Sequence, residues 1–323
     1  MDYRALGRTG VEVSVMGFGA APLGNVYGVL GVADGERAVA RAIDLGINFF
    51  DTSPYYGLTL SEERLGKALA GRRQRVVLAT KCGRYGAAEF DFSAERVTRS
   101  VDESLARLQT DYVDLLQVHD CEFGDRLQVV EETLPALEVL RQQGKTRLIG
   151  ITGYQVENLE WIARAALAAG IKLDTILNYC RYDLANTTME SLAAFAAEAG
   201  IGLVNASPLH MGLLTEDGPP PWHPAPAAAR VAARHAIEVC KAKGASIEAV
   251  GLRFCLDYPG VASTFVGMGT AELVDRNVAV LGSKTDAALV EELREMLRHE
   301  GAGVIWPSGL RENWDAGTVR DGL

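Results

Sequence analysis

Eight short runs of apolar and β-branched residues recur along this chain of 323 residues, each followed by a longer segment of helical period, and no linker interrupts the series. That alternation is the pattern of βα units, in which parallel strands form a sheet covered by helices. Strands are expected at 15–19, 47–51, 76–81, 112–118, 146–151, 175–178, 202–205 and 263–266. Between them, 34–45, 61–69, 93–108 and 127–143 carry apolar residues three and four apart, as amphipathic helices do. Ser61 and Ser93, each followed by acidic residues, read as helix N-caps, and Gly46, Gly144, Gly170 and Gly200 sit where helices should stop.

Such a series either closes into a barrel or stays open as a doubly wound sheet. An open sheet that binds a dinucleotide normally carries GxGxxG after its first strand, running into a helix. Here that strand ends Gly17-Phe18-Gly19-Ala20-Ala21-Pro22, with no third glycine in register and a proline where the helix should start. The expected architecture is therefore α/β, a single (β/α)8 TIM barrel formed by residues 1–323 as one domain. An N-terminal β-hairpin turns at Arg8-Thr9-Gly10, and two additional helices at 229–243 and 286–299 exceed the eight-unit count. Residues 218–226 hold five prolines, so they read as a long loop over the mouth of an active site.

A net charge of −10 provides no broad basic face and argues against nucleic acid or an acidic membrane surface as partner; a small-molecule substrate fits better. The five cysteines are scattered and never paired as CxxC, which points to reduced thiols in the cytoplasm. No uncharged apolar stretch reaches membrane-spanning length, and the N-terminus lacks the apolar core of a signal peptide. The five histidines have no ligand spacing such as HExxH, so no metal is expected. Oligomeric state is not encoded in any of these features.

In a barrel, reactive groups belong at the C-terminal ends of the strands, where the βα loops converge. Four ionisable residues pass that filter: Asp51, Tyr56 in the following loop, Lys81 and His119. A lysine ending an apolar strand needs an acidic partner, and Asp51 on the neighbouring strand supplies one. A cation there is expected to lower the pKa of Tyr56, which would then exchange a proton at neutral pH, with His119 orienting the same substrate oxygen.

In these residues the sequence resembles the aldo-keto reductase family, whose Asp, Tyr, Lys and His tetrad matches Asp51, Tyr56, Lys81 and His119 in chain order. The Asp-to-Tyr spacing in Phe-Asp-Thr-Ser-Pro-Tyr-Tyr-Gly selects Tyr56 over Tyr55. The resemblance covers nearly the whole chain and is strongest to aldose-oxidising members. It implies NAD-linked oxidation of the C1 hydroxyl of L-galactose to a lactone. L-fucose, D-arabinose and D-threo-aldoses are alternative substrates, and a non-catalytic nucleotide-binding regulator is a remoter alternative.

By alignment with the family, the nicotinamide nucleotide would be held by Gly19, Ala20, Thr152, Asn178, Ser207, Pro208, Leu209, Met211, Gly212, Gly267, Met268, Gly269 and Asn277. Thr152-Gly153 replaces the family's usual Ser-Asn, Asn178 its Gln, and Ala206 its stacking aromatic. Holding the 2′-phosphate of NADP takes cations. The usual basic positions are Gly267 and Leu273 here, with Glu272 and Asp275 adding negative charge, so NAD is expected over NADP. A pyranose offers hydroxyls and an apolar face, which makes Tyr55, Asp120 and Trp306 the expected sugar contacts, with Tyr85 and His223 behind them. Cys82 reads as a small strand filler.

Overall fold

A computed structural model describes residues 1–301 and 305–315. Its N-terminal hairpin pairs β1 (Tyr3–Ala5) with β2 (Glu12–Ser14). Eight parallel strands then close into a barrel in sequence order: β3 (Met16–Gly19), β4 (Phe49–Asp51), β5 (Val77–Cys82), β6 (Val113–Val118), β7 (Thr146–Gly153), β8 (Thr175–Tyr179), β9 (Gly202–Ala206) and β10 (Ser263–Gly267), with β10 pairing back to β3. All eight expected strands are present, displaced by no more than a couple of residues at their ends, and the (β/α)8 architecture holds.

The outer layer comprises α1 (Val32–Asp44), α2 (Leu60–Ala68), α3 (Ala94–Leu108), a helix running from α4 (Arg126–Gln128) through a π-turn into α5 (Leu134–Gln142), α6 (Val156–Ala168), α7 (Glu190–Ala199), α9 (Ile247–Asp257) and α10 (Ala271–Ala279). The two added helices, α8 (Ala227–Ala242) and α11 (Ala287–Glu300), pack on each other through a separate apolar cluster that includes Ala233, Ile237, Leu293 and Leu297. Ser93 caps α3 by accepting from the Arg96 N–H. Ser61 does not cap α2, which starts one residue earlier at Leu60; its hydroxyl donates instead to the Ala20 carbonyl oxygen, tying the second βα loop to the first.

Successive strand residues point to opposite faces of the sheet, and this parity partitions the core. Phe49, Ala79, Leu115, Leu148, Leu177, Val204 and Phe265 fill the barrel interior, plugged from below by Leu6 and Val13 of the hairpin. Their neighbours Phe50, Leu78, Leu116, Ile149, Ile176, Leu203 and Val266 face the helices. Two residues beyond Phe49, Ala79 and Leu115 on the inward face come Asp51, Lys81 and Gln117, and then His119. The apolar plug therefore ends where a polar floor begins.

Candidate active site

The loop after β4 must double back to bring Tyr56 over Lys81, and Gly57 makes this possible. Its φ is +65°, and a Cβ there would lie 2.1 Å from the Gly24 carbonyl oxygen, so the loops after β3 and β4 are in backbone contact. Leu58 and Thr59 follow, also in the left-handed region.

On the floor, the Lys81 Nζ donates to Asp51 Oδ2 at 2.5 Å, to the Thr52 carbonyl oxygen at 2.8 Å and to the Tyr56 hydroxyl at 3.3 Å. An ammonium has three protons, and these partners use all of them. The Tyr56 oxygen thus accepts from Lys81, which leaves its own proton free for the cavity. Gln117 Nε2 donates to the other Asp51 oxygen at 3.1 Å. Burial pushes the Asp51 carboxyl up, against the pull of the Lys81 ammonium and the Gln117 amide.

The expected acidification of Tyr56 is not what the protein alone produces. Burial, reinforced by the negative charges of Asp51 and Asp120, holds the phenol well above its ordinary range, with Arg84 opposing. The reason is physical: Lys81 is already neutralised by Asp51, so the phenol faces a paired cation, and desolvation of a phenolate dominates.

The His119 ring stands perpendicular to that of Tyr56 at 5.7 Å between centroids. Burial lowers its pKa to about 3, so the ring is neutral. Its Nδ1 lies 3.0 Å from Ser53 Oγ, which also accepts from the Tyr55 N–H at 3.1 Å. Ser53 can donate to Nδ1 while accepting from Tyr55, and the Asp120 carboxylate lies 3.7 Å from Nε2, an arrangement that fits the ring proton on Nε2.

These groups form the floor of a cavity of about 1070 Å³ that runs from the tetrad to the ends of β9 and β10. Asp51, Tyr56, Lys81 and His119 line it, as do Tyr55, Asp120 and Trp306, and Gly19, Thr152, Ser207, Pro208, Leu209, Met211, Gly212, Gly267 and Gly269. Ala20, Asn178 and Met268 do not line it: each sits at the outward parity beside an inward residue (Gly19, Tyr179, Gly267) that does. Asn178 donates through Nδ2 to the Gly153 and Tyr154 carbonyl oxygens, bracing the end of β7. Asn277 is buried in the body of α10, away from the cavity. Tyr85 and His223 also stand off it; the Tyr85 hydroxyl accepts from the Gly83 N–H, and His223 Nε2 donates to the His210 carbonyl oxygen. Cys82 is buried and its thiol is pushed up to about 12 by burial, as a strand filler would be.

Sequence reasoning passed over Arg84, Phe123, Tyr179 and the pair Tyr27 and Trp222, all of which line the cavity. Arg84 lies only three residues beyond Lys81 on the loop after β5, and that position was the available signal. Trp306 stacks on Tyr154 at 4.6 Å, and the segment carrying it is docked by Ser308 Oγ on the buried Glu122 and by Asp315 on Arg181.

A cavity this size lies at the upper end of the roughly 300–1,000 Å³ typical of small-molecule and cofactor sites. At its far end Ser207, Met211 and Gly212 have left-handed backbones, and Gly19, Gly267 and Gly269 present bare backbone. Peptide N–H groups meet anionic oxygens well in such places. The residues present therefore fit a dinucleotide beside a small substrate.

The Aldo/keto reductase family model matches residues 15–298. The chain belongs to the aldo/keto reductase family. It is 46% identical over 319 residues to L-galactose dehydrogenase of Arabidopsis thaliana, covering 97% of this chain and 99% of that one. Identity to D-arabinose 1-dehydrogenase of Saccharomyces cerevisiae is 31%, covering 85% of this chain and 87% of that one. Among solved structures it resembles aldo-keto reductase AKR11C1 from Bacillus halodurans in its holo form, with TM-score 0.75, 26% identity, and coverage of 98% of this chain and 100% of that one. Aldo/keto reductases use nicotinamide cofactors, in keeping with the long cavity. Among the described residues no helix is long and apolar enough to cross a membrane, and no group of three or more His, Cys, Asp or Glu side chains is placed to hold a metal ion.

Proposed function

We propose that residues 1–323 act as one domain, an NAD-dependent aldose 1-dehydrogenase that oxidises the anomeric hydroxyl of L-galactose to L-galactono-lactone. The observation that carries this reading is the Asp51, Lys81, Tyr56 and His119 cluster at the floor of a dinucleotide-sized cavity, in a chain 46% identical to an L-galactose dehydrogenase.

A nicotinamide nucleotide bound in the cavity supplies the hydride acceptor and, in its oxidised form, a positive charge. The protein's own groups move the proton. The His119 Nε2–H donates to the C1 oxygen and fixes its direction, and Tyr56, once its own proton has gone to solvent, takes the proton from that oxygen as the phenolate. Lys81 holds the Tyr56 oxygen by donating to it, and Asp51 and Gln117 hold Lys81. In the reductive direction the same phenol returns the proton.

The preference for NAD rests on charge. Lys81 and Arg84, both at the tetrad end, are the Lys and Arg residues that line the cavity; along 206–224 and 265–273 the lining is apolar or neutral. Glu272 is exposed on α10, and Asp275 there is paired with Arg41 at 2.6 Å. Among the described residues, a 2′-phosphate would find no lining cation at that end. Five buried free cysteines favour a reducing compartment, the cytoplasm. The similarity to D-arabinose 1-dehydrogenase and, at 30% identity, to D-threo-aldose 1-dehydrogenase of Pseudomonas favours other aldoses as the second reading.

The test is NAD reduction across an aldose panel, with Tyr56→Phe beside wild type. Wild type is expected to reduce NAD with L-galactose, and the variant to lose at least about a hundredfold in kcat while still binding NAD. Turnover of Tyr56→Phe at the wild-type rate would sink the assignment, and a higher kcat/KM with NADP would reverse the cofactor choice.

A further inference from the structure

The proposed proton transfer leaves two charged groups on the floor without a task, Arg84 and Asp120. Arg84 extends from the loop after β5, its backbone bridged to that of Phe90, and its guanidinium carbon lies 3.8 Å from the Tyr55 ring centroid, 5.1 Å from Phe90 and 5.3 Å from Phe123. Phe90 and Phe123 stack on each other at 4.3 Å, so the guanidinium is fixed among three rings. Its Nη1 is ion-paired with Asp120 Oδ2, and its Nε reaches the Gly86 carbonyl oxygen at 3.5 Å. A guanidinium has five N–H donors, and the protein satisfies two of them. Arg84 lines the cavity.

Asp120 is built for the same place. It follows His119 directly, with a left-handed φ of +50° held by its own N–H donating to Thr152 Oγ1 at 3.1 Å. That turn brings Oδ2 within 3.7 Å of His119 Nε2, the atom that meets the reacting oxygen. Beside His119 Nε2 the cavity wall thus carries an acceptor and a planar donor fork side by side. The two ion pairs on the floor, Lys81 with Asp51 and Arg84 with Asp120, sum to zero charge. A neutral polyol suits that floor better than a phosphorylated or carboxylated substrate.

Building on the proposed aldose oxidation, we infer that Arg84 and Asp120 hold the hydroxyl on the carbon next to the reacting one, C2 of the sugar, and that Arg84 selects for neutral 2-hydroxy aldoses. The hydroxyl donates to Asp120 and accepts from Arg84. A site that hydrogen-bonds a hydroxyl rejects analogues lacking it, because its buried polar groups are then left unmatched.

The experiment compares kcat/KM for L-galactose and 2-deoxy-L-galactose in wild type, Arg84→Met, Arg84→Lys and Asp120→Asn, with the KM for NAD measured in each. Wild type is expected to favour the 2-hydroxy sugar by about tenfold to a hundredfold. Arg84→Met should bring that ratio towards one, and Arg84→Lys, which keeps the charge and loses the fork, should fall between. An unchanged KM for NAD shows that the variants are folded. A wild type indifferent to the 2-hydroxyl, an Arg84→Met that slows both sugars by one factor, or a preference for an aldose phosphate overturns the inference while leaving aldose oxidation intact. No turnover of any aldose by wild type overturns the functional reading and this inference with it.

Discussion

The floor of the cavity and its far end present different things to a ligand. At the floor, ionisable side chains from β4, the loop after it, β5 and the end of β6 come together, and each Lys81 proton has a defined partner. At the far end the wall is backbone and mostly apolar side chains, from Ser207 to Gly212 and at Gly267 and Gly269, with no lining cation among the described residues. Chemistry concentrated in side chains is lost with one substitution. Recognition spread over backbone is altered only by changing the path of the chain.

The sharpest way to break this contrast is at Lys81. Lys81→Met leaves the buried Asp51 carboxylate without its counterion, a loss of about 3–5 kcal/mol. It also releases the Tyr56 hydroxyl, so turnover should fall by at least about a hundredfold. Thermal unfolding and steady-state rates check both, and a variant with wild-type melting and turnover would show that the floor is not organised around this ammonium.

Next in size is the pH dependence. Because the Tyr56 phenol is held above its ordinary range, oxidation, which needs the phenolate, should rise with pH through neutrality, while reduction should stay level. His119, lowered to about 3, should contribute no inflection between about pH 5 and about pH 8. It should appear in stability instead: the unfolded state takes up the imidazole proton first, so stability present above about 6.5 is lost as pH falls towards about 3. A bell-shaped rate profile with an arm near the free-histidine pKa would contradict this assignment of charge.

The smallest effect belongs to the far end. Gly212 has φ +93°, where an alanine is strained by about 1–2 kcal/mol. Gly212→Ala should raise the KM for NAD by about tenfold and leave kcat within about twofold. Equal losses in both would mean that the loop takes part in the chemical step.

Much of this was legible before any coordinates. Asp51, Lys81 and His119 could be picked out because strand ends are local, and the family resemblance fixed Tyr56 over Tyr55; Ala20, Asn178 and Met268, named by that resemblance, do not line the cavity. Arg84 was harder, since its meaning comes from Asp120, 36 residues away, and from three aromatic rings contributed by other loops. Ser61 looked like a cap because the residues after it are acidic, but its hydroxyl had a better acceptor on a different βα loop.

The order of strands and helices and the ionisable residues near the strand ends were legible in the sequence alone, because they depend on periodicity and spacing over a few residues, and the family resemblance singled out Tyr56 for proton transfer. Tertiary structure decided the rest: which loop residues face the cavity, that burial keeps His119 neutral, how Trp306 is docked and in which direction the Tyr56 pKa moves. These are sums over groups distant in the chain, and burial, the largest of them, has no value until the whole barrel has closed.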